Sequence, residues 1–285
     1  MIYSPLTTSD LANRKAALVV GHPGHELRLH GWLEIARPHV FVLTDGSGGA
    51  AQSRLNCSEQ VLREANCEPG SIFGVFTDKQ IYELIINSRF DPFIALVTTL
   101  ADRLRELDVD YVVGDACEGY NPSHDLCRIV LGAAVQRLRS QGMPLLNFSF
   151  PLHSRPDECD LPTDYGSVRL DLTNDQFERK MAAAWGYTPL VPEVEESQRL
   201  IGLDAFRVEW LRPTSTKAGF ENLAAWRPYY ETYGEQQVAS GRYARVLRYR
   251  EHFRPLADAL WEHATSQSGT GASTRSRSLR KSAVA

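Results

Sequence analysis

Short apolar runs alternate with amphipathic helical segments through the first half of this sequence. An alternation of strands and helices requires crossover connections, which are right-handed, and it predicts a mostly parallel sheet with helices on both faces. We expect strands at residues 16–21, 40–44, 71–76, 111–114 and 145–150, and helices at residues 25–36, 58–65, 93–107 and 123–139. The sequence therefore favours an α/β fold.

The second half of the chain is less regular. Strands are expected at residues 167–172 and 206–211, and helices at residues 175–185 and 236–260, the last of them broken near Gly241 and Pro255. We interpret residues 191–263 as a cap on a single α/β domain that spans residues 1–263 and has its core at about residues 15–190.

Residues 264–285 differ in composition from the rest of the chain. They contain no acidic and no aromatic residue, and among Ser, Thr, Gly and Ala they carry four basic residues, Arg275, Arg277, Arg280 and Lys281. Such a segment cannot bury enough apolar surface to order itself, so we expect a disordered basic tail. Binding to an acidic surface is an alternative reason for its charge.

The overall composition excludes several classes of protein. The formal net charge is −4, from 31 Lys and Arg against 35 Asp and Glu, which argues against a generally basic nucleic-acid binder. Five cysteines without a CxxC pair argue against a disulfide framework and a cysteine-rich zinc ribbon. The sequence has no run of about 18 apolar residues to cross a membrane and no signal-peptide pattern at its start. We therefore expect a cytoplasmic protein.

Three histidines are expected at the carboxyl ends of the strands, where parallel sheets bind their ligands. His22 and His25 flank a turn after the first predicted strand, and His124 begins the helix after the fourth. A lone histidine at such a place is more often a hydrogen-bonded polar residue. Three converging imidazoles with one open position, however, describe a catalytic zinc site, although imidazole also suits other divalent ions. The sequence predicts one Zn²⁺ per chain.

The segments around these histidines resemble the motifs of the LmbE-like/PIG-L family of zinc-dependent de-N-acetylases. Residues 22–26 (HPGHE) resemble its His-Pro-Asp-Asp-Glu signature, residues 44–46 the end of its second strand, and residues 119–125 (GYNPSHD) its later His-Pro-Asp-His segment. The resemblance covers roughly residues 16–190. It implies a Rossmann-like α/β fold, one zinc ion, and removal of acetyl groups from N-acetylated amino sugars and related glycoconjugates.

The resemblance also implies roles for particular residues. The family's metal ligands, which are the first His, the second Asp and the last His of these motifs, fall on His22, His25 and His124. A third histidine in place of the acidic ligand leaves zinc with its full +2 charge, which makes it a stronger Lewis acid toward water. The family's general base falls on Gly24, and the first His of its later motif falls on Asn121.

The missing general base leaves the source of proton transfer open. Loss of such a base costs about 10²–10⁴ in rate. We favour Glu26 or Asp115 as the replacement, with Asp45 as another acid at the crevice and Asp125 as support for a histidine ligand. A three-histidine site that ionises its water without a strong base is a further alternative. Asn121 keeps a hydrogen-bond donor for an oxyanion.

Contacts to the rest of the substrate are expected from aromatic and acidic side chains. Tyr120 precedes the later motif, and Asp45 begins a Gly-rich turn that can approach a sugar or phosphate, although a plain surface loop is the commoner role of such a turn. Tyr230 and Glu231 belong to an aromatic-dense stretch at residues 226–235, whose rings suit carbohydrate stacking. Packing between helices is the commoner role of such a stretch.

The sequence therefore predicts a zinc-dependent hydrolase that removes an N-acyl group from an amino sugar or a sugar-containing intermediate by means of zinc-activated water. The expected partner is this small-molecule substrate, with no nucleic acid, and a homo-oligomer is compatible with the sequence. The alternative is a catalytically silent relative, marked by Gly24 and Asn121, that binds a glycan or a protein partner. Different chemistry on a non-acylated substrate is also left open.

Overall fold

Seven strands form one sheet in the computed structural model, which describes residues 7–48, 52–159, 166–217 and 227–266. The strands lie in the order β3-β2-β1-β4-β5-β7-β6. The first five are parallel to one another, and β7 is antiparallel to both β5 and β6. Their bounds are β1 (Ala16–Val20), β2 (His39–Thr44), β3 (Glu68–Phe76), β4 (Tyr111–Asp115), β5 (Leu146–Phe150), β6 (Val168–Asp171) and β7 (Val208–Pro213).

Helices cover both faces of this sheet, as the alternating pattern predicts, and the α/β prediction is confirmed. They are α1 (Thr8–Asn13), α2 (His30–Ala36), α3 (Leu55–Glu64), α4 (Asp78–Ile86), α5 (Asp91–Glu106), α6 (Pro122–Ser140), α7 (Asn174–Gly186), α8 (Val191–Ile201), α9 (Tyr229–Ala239) and α10 (Arg254–Ser266). One apolar core lies beneath α4, α5, α6 and α10, and the other beneath α1, α2, α3 and α7. None of the helices in the described ranges has the length and apolarity needed to span a lipid bilayer.

The structure differs from the sequence-based expectation in several elements. The helix expected over residues 25–36 begins as a 3₁₀ turn (His25–Leu29) and becomes α-helical only at His30. The helices α1, α4 and α8 were not expected. The region interpreted as a cap contributes β7 to the main sheet, and α10 ends three residues beyond the expected domain end at 263. The rest of the predicted basic tail lies outside the described residues.

The strand order creates a crevice between the carboxyl ends of β1 and β4. The chain runs outward from β1 to β2 and β3, and then returns to place β4 on the other side of β1. The loops that follow β1 and β4 therefore diverge, and such a switch point is where open α/β sheets bind ligands. All five residues of β1 are buried, as a continuous apolar strand covered on both faces requires.

A buried ion pair between α7 and β7 also holds the start of α2. Lys180 Nζ lies 2.8 Å from Glu209 Oε1 on β7 and donates to the carbonyl oxygen of Arg28 at 2.9 Å. The Glu209 carboxylate also accepts hydrogen bonds from the backbone N–H groups of Gly31, at 2.9 Å, and Trp32, at 2.8 Å. Because these two groups lie in the first turn of α2, the carboxylate satisfies donors that the helix leaves without intrahelical partners.

We predict that Lys180→Met lowers the free energy of unfolding by about 3–5 kcal/mol, because it leaves the Glu209 carboxylate buried and without its counter-charge. The neighbouring Arg179→Met is the matched control. Arg179 pairs with Glu34 but is 54% exposed, so its loss changes stability by about 0–1 kcal/mol. Urea denaturation measures both variants. Equal changes in the two would contradict a dominant role for the buried pair.

Candidate metal centre

The three predicted histidines meet at the switch-point crevice. His22 and His25 follow β1, His124 lies in the first turn of α6, and one ligand nitrogen from each ring lies within 4.8 Å of the other two. The ring centroids are 5.2 Å apart for His22 and His25, 4.9 Å for His22 and His124, and 4.5 Å for His25 and His124. Three imidazoles gathered in this way form a donor set that suits Zn²⁺ and other divalent ions of similar preference.

The turn between the first two histidines requires glycine at position 24. Gly24 has a φ of +106°, a value that L side chains rarely adopt, and a Cβ atom there would lie 2.3 Å from Leu190 Cδ1. This left-handed residue ends β1's loop and starts the 3₁₀ turn that carries His25. An acidic side chain at this position would strain the backbone, and the end of the Leu190 side chain would have to move to make space for it.

Glu26 stabilises this turn from below. Its carboxylate accepts a hydrogen bond from the Gly24 N–H at 2.7 Å and another from the hydroxyl of Ser58, and the side chain is fully buried. The Ser58 hydroxyl in turn lies 3.1 Å from the phenol oxygen of Tyr187. Burial raises the pKa of Glu26. The structure thus places Glu26 within the scaffold of the turn and does not bring it into the histidine cluster.

Asp115 fixes the orientation of His25. Asp115 Oδ2 accepts a hydrogen bond from the Gly21 N–H at 2.7 Å and lies 2.9 Å from His25 Nδ1. A carboxylate at one ring nitrogen holds that nitrogen protonated and leaves the lone pair of the other nitrogen for a metal ion. Burial raises the pKa of Asp115 to about 7. The geometry therefore makes Asp115 the partner that holds the His25 ring in its orientation.

Asp78 orients His22 in the same manner, and the sequence analysis missed it. Asp78 Oδ1 lies 2.5 Å from His22 Nε2 and accepts from the Ser123 hydroxyl at 3.0 Å. Asp78 begins α4, whose start is marked by a capping box between Thr77 and Gln80. That signal, placed directly after the third predicted strand, would have put an acid at the same edge of the sheet as the histidines.

The electrostatic environment keeps two of the imidazoles neutral. Burial is the main cause that holds the pKa of His25 well below its usual range, and the neighbouring His22 is the second cause. Burial, followed by the neighbouring His25, does the same for the pKa of His124, and in both cases the Arg54 guanidinium adds to the effect. Metal binding requires deprotonated ring nitrogens, and this environment supplies them at His25 and His124.

The remaining residues expected in catalysis lie around the crevice in structural roles. Asn121 caps α6, because its Oδ1 accepts from the Ser123 N–H at 2.8 Å, which leaves its Nδ2 hydrogens for another acceptor. Asp125 Oδ1 accepts from the N–H groups of Glu118 and Gly119, each at 3.1 Å, and so shapes the loop before α6. Its contacts run to this loop and not to a histidine.

Of the residues expected to contact the substrate, one is exposed, and the others are buried or form contacts within the protein. Tyr120 is 42% exposed and lies next to the cluster, whereas Tyr230 is 4% exposed and packs on Phe253 in the core. Glu231 accepts from the backbone N–H of Tyr249 at 2.8 Å and forms ion pairs with Arg227 and Arg248. The structure therefore does not present Tyr230 or Glu231 to a ligand.

Asp45 is also engaged locally. Its Oδ1 accepts hydrogen bonds from the backbone N–H of Ser47, at 3.0 Å, and from the Ser47 hydroxyl, at 2.7 Å. These bonds close a turn directly after β2. The carboxylate thus shapes the loop beside the crevice and is not part of the histidine cluster.

A fourth imidazole, His153, lies at the mouth of the cluster. It follows β5, its ring centroid lies 6.4 Å from that of His124, and its other neighbour is the ring of Tyr120. The Glu118 carboxylate holds this loop by accepting from three consecutive backbone N–H groups, those of Leu152 at 2.9 Å, His153 at 3.0 Å and Ser154 at 3.1 Å. The rule that sites lie after parallel strands, applied to the fifth predicted strand, would have found it.

Comparisons with known proteins give limited similarity. No protein-family model and no curated protein matches this sequence. Among solved structures, the A40926 pseudoaglycone deacetylase Dbv21 is 17% identical, with 71% of this chain and 97% of that chain covered and a TM-score of 0.49. The conserved protein TT1542 from Thermus thermophilus is 19% identical, with 71% and 94% covered and a TM-score of 0.49. The zinc-inhibited form of teicoplanin deacetylase Orf2 is 10% identical, with 79% and 94% covered and a TM-score of 0.45. These values do not support an inference about activity.

We predict that His25 and His124 lower the stability of the metal-free protein as the pH falls below about 6.5, the ordinary pKa of histidine, while the buried Asp115 and Asp125, whose pKa values burial raises to about 7, act in the opposite direction. Above that pH the imidazoles of His25 and His124 are neutral in both the folded and the unfolded chain. Below it the unfolded chain binds protons that the folded chain resists, because the pKa values of His25 and His124 are lowered on folding. Each group contributes up to about 1.4 kcal/mol per pH unit.

Urea denaturation of chelator-treated protein at several pH values measures this slope. The His124→Asn variant should lose the contribution of one imidazole to this pH dependence. The His39→Asn variant, which changes a histidine on β2 outside the cluster, should keep the pH dependence of the native protein. An equal slope in the native protein and the His124→Asn variant would show that the cluster does not disfavour protonation.

Proposed function

We propose that this protein is a zinc-dependent hydrolase that removes an N-acyl group from an amino sugar or a sugar-containing intermediate. The observation that carries the proposal is the convergence of His22, His25 and His124 at the switch-point crevice, with two of the rings each facing a carboxylate. Three imidazole nitrogens are a protein ligand set of catalytic zinc ions, which keep their fourth position for water or substrate. When bound, such an ion supplies Lewis acidity and lowers the pKa of water.

The residues of the chain would hold and orient the reacting groups. Asp115 and Asp78 keep His25 and His22 in the orientation that the ion needs. The Asn121 Nδ2 hydrogens and the Tyr120 hydroxyl lie in the loop that leads into His124, where they would donate hydrogen bonds to the acyl oxygen as negative charge develops on it.

Proton transfer is assigned to His153. Gly24 offers no acid, the carboxylates of Glu26 and Asp45 accept from backbone N–H groups, and Asp115 Oδ2 is held between the Gly21 N–H and the His25 ring. His153 is exposed at the mouth of the cluster, and burial of part of its ring lowers its pKa, which keeps a neutral imidazole available to accept a proton. The same nitrogen would then return the proton to the departing amine.

The motif resemblance around His22 and His124 supports an N-acetylated amino sugar as the substrate class. A specific observation also favours a second candidate, a silent glycan-binding protein. At the position of the family's general base, an acid would strain the backbone of Gly24 and displace the end of the Leu190 side chain. The two candidates differ in turnover, and one experiment separates them.

We predict that the zinc-loaded protein releases acetate from N-acetylglucosamine derivatives and that chelation abolishes the release until zinc is restored. His153→Gln should lower kcat by about 10²–10⁴ with unchanged zinc content, because it removes the proton acceptor and not a ligand. His39→Gln is the matched control and should retain full activity. Sugars that bind and raise the melting temperature but release no acetate would reject the hydrolase in favour of the glycan-binding protein.

A further inference from the structure

Exposed tyrosines are concentrated on one side of the metal centre. Four of them are between 39% and 46% exposed, whereas the other exposed large apolar side chains of the described residues, Val75, Trp185 and Leu200, lie on other elements. These four tyrosines are called the tyrosine row here: Tyr120, Tyr229, Tyr233 and Tyr243. Large aromatic rings that are left in solvent and gathered together mark binding surfaces more often than chance exposure.

The rings of the row contact one another in sequence. Tyr120 and Tyr229 are stacked, with centroids 4.8 Å apart and planes 9° from parallel. Tyr229 and Tyr233 are 6.3 Å apart, and Tyr233 meets Tyr243 edge to face at 6.5 Å. The backbone also joins the row to the metal-binding loop, because the Tyr229 N–H donates to the Gly119 carbonyl oxygen at 2.7 Å.

Both ends of the row return to the histidine cluster. At one end Tyr120 contacts His153, which faces the ring of His124. At the other end the ring of Tyr243 lies 5.3 Å from that of Tyr82 on α4, the helix that begins with Asp78, the acid that touches His22. The row therefore forms an arc along one rim of the crevice.

The surroundings of the row favour an uncharged ligand. Arg227 and Arg248 each form ion pairs with both Glu231 and Glu235. The exposed Arg242 and Arg245, which flank Tyr243, donate to the amide oxygens of Gln237 and Asn87, so each of these four guanidinium groups already has a partner within the protein. The row also carries no aliphatic side chain for a lipid tail, and each of its rings ends in a hydroxyl that donates and accepts hydrogen bonds. Rings with such hydroxyls suit a neutral, hydroxyl-rich ligand.

We propose that the tyrosine row is a saccharide subsite that binds one or more neutral sugar rings beyond the sugar that lies at the metal centre. The link to the reacting sugar rests on the proposed function, whereas the binding of neutral sugar by the row does not. The row would make this protein prefer an oligosaccharide or glycoside over a free amino sugar. Tyr233 and Tyr243, the members farthest along the row from His124, would contact the most distant ring.

A binding experiment tests the row independently of catalysis. Cellotriose, a neutral trisaccharide without an N-acyl group, is titrated into the full chain with isotope-labelled tyrosine, and the ring signals are followed by NMR. We expect shifts in the signals of the row, at least fivefold weaker binding in Tyr233→Ala, and unchanged binding in Trp185→Ala, which removes an exposed ring on α7. Shifts confined to other tyrosines, or no shift with cellotriose but binding of an aryl compound such as 4-nitrophenol, would overturn the proposal.

A kinetic experiment tests the link to the metal centre. The ratio of kcat/KM for a disaccharide with a terminal N-acetylglucosamine to that for N-acetylglucosamine alone should fall about five- to tenfold in Tyr233→Ala and partly in Tyr233→Phe. The ratio should not change in Trp185→Ala. An unchanged ratio in Tyr233→Ala would separate the row from the reaction. If no substrate released acetate, the proposed hydrolase function would be rejected. The cellotriose titration would still test whether the tyrosine row binds a saccharide.

Discussion

The Asp115 carboxylate joins the two strand ends on which the candidate metal centre is built. Its Oδ2 atom binds the first backbone N–H after β1 and the Nδ1 atom of His25, although Asp115 itself ends β4. The atoms at this junction are closely packed. A Cβ atom on Gly21 would lie 3.0 Å from the Ser123 carbonyl oxygen and 3.1 Å from Asp115 Oδ2. One buried acid thus ties the β1 loop to the end of β4, and the absence of a side chain at Gly21 lets the start of α6 lie close to the same loop.

Further carboxylates fix the loops around this junction in similar ways. Glu26 supports the Gly24 turn, Glu118 holds the loop that carries His153, and Glu209 binds the start of α2 while it pairs with Lys180. Each acid accepts hydrogen bonds from backbone N–H groups that no helix or strand satisfies. The crevice is therefore pre-organised by groups that do not themselves reach the cluster, which is the arrangement that precise ligand placement requires.

The sequence was sufficient to predict the parts of the site that follow from topology. Parallel strands place their carboxyl ends at one edge, so His22, His25 and His124 could be brought together before any coordinates were known. The same rule was not carried to β3 and β5, and Asp78 and His153 were missed for that reason. Both belong to loops or helix starts at the same edge of the sheet, where the histidines were expected.

Other features depended on geometry that the residue order does not reveal. Glu26 directly follows His25, but the 3₁₀ turn directs its carboxylate into the core, toward Ser58. In an α-helix successive residues differ by about 100° around the axis, so at the start of α9 Tyr229 faces solvent while Tyr230 is buried. Composition alone cannot tell which of two adjacent tyrosines faces outward. The positive φ of Gly24 likewise became evident only from the backbone.

The central claim is that three imidazoles hold one metal ion. X-ray absorption at the zinc K edge of the zinc-loaded protein tests it most directly, because the spectrum reports the atoms bound to the ion. We expect three nitrogen neighbours at about 2.0–2.1 Å from the zinc ion, with the multiple-scattering pattern of imidazole. The chain also has thiols that could bind zinc, among them those of Cys57 and Cys117, which are partly exposed. Sulfur neighbours at about 2.3 Å, or a shell of oxygen without imidazole, would contradict the three-histidine site.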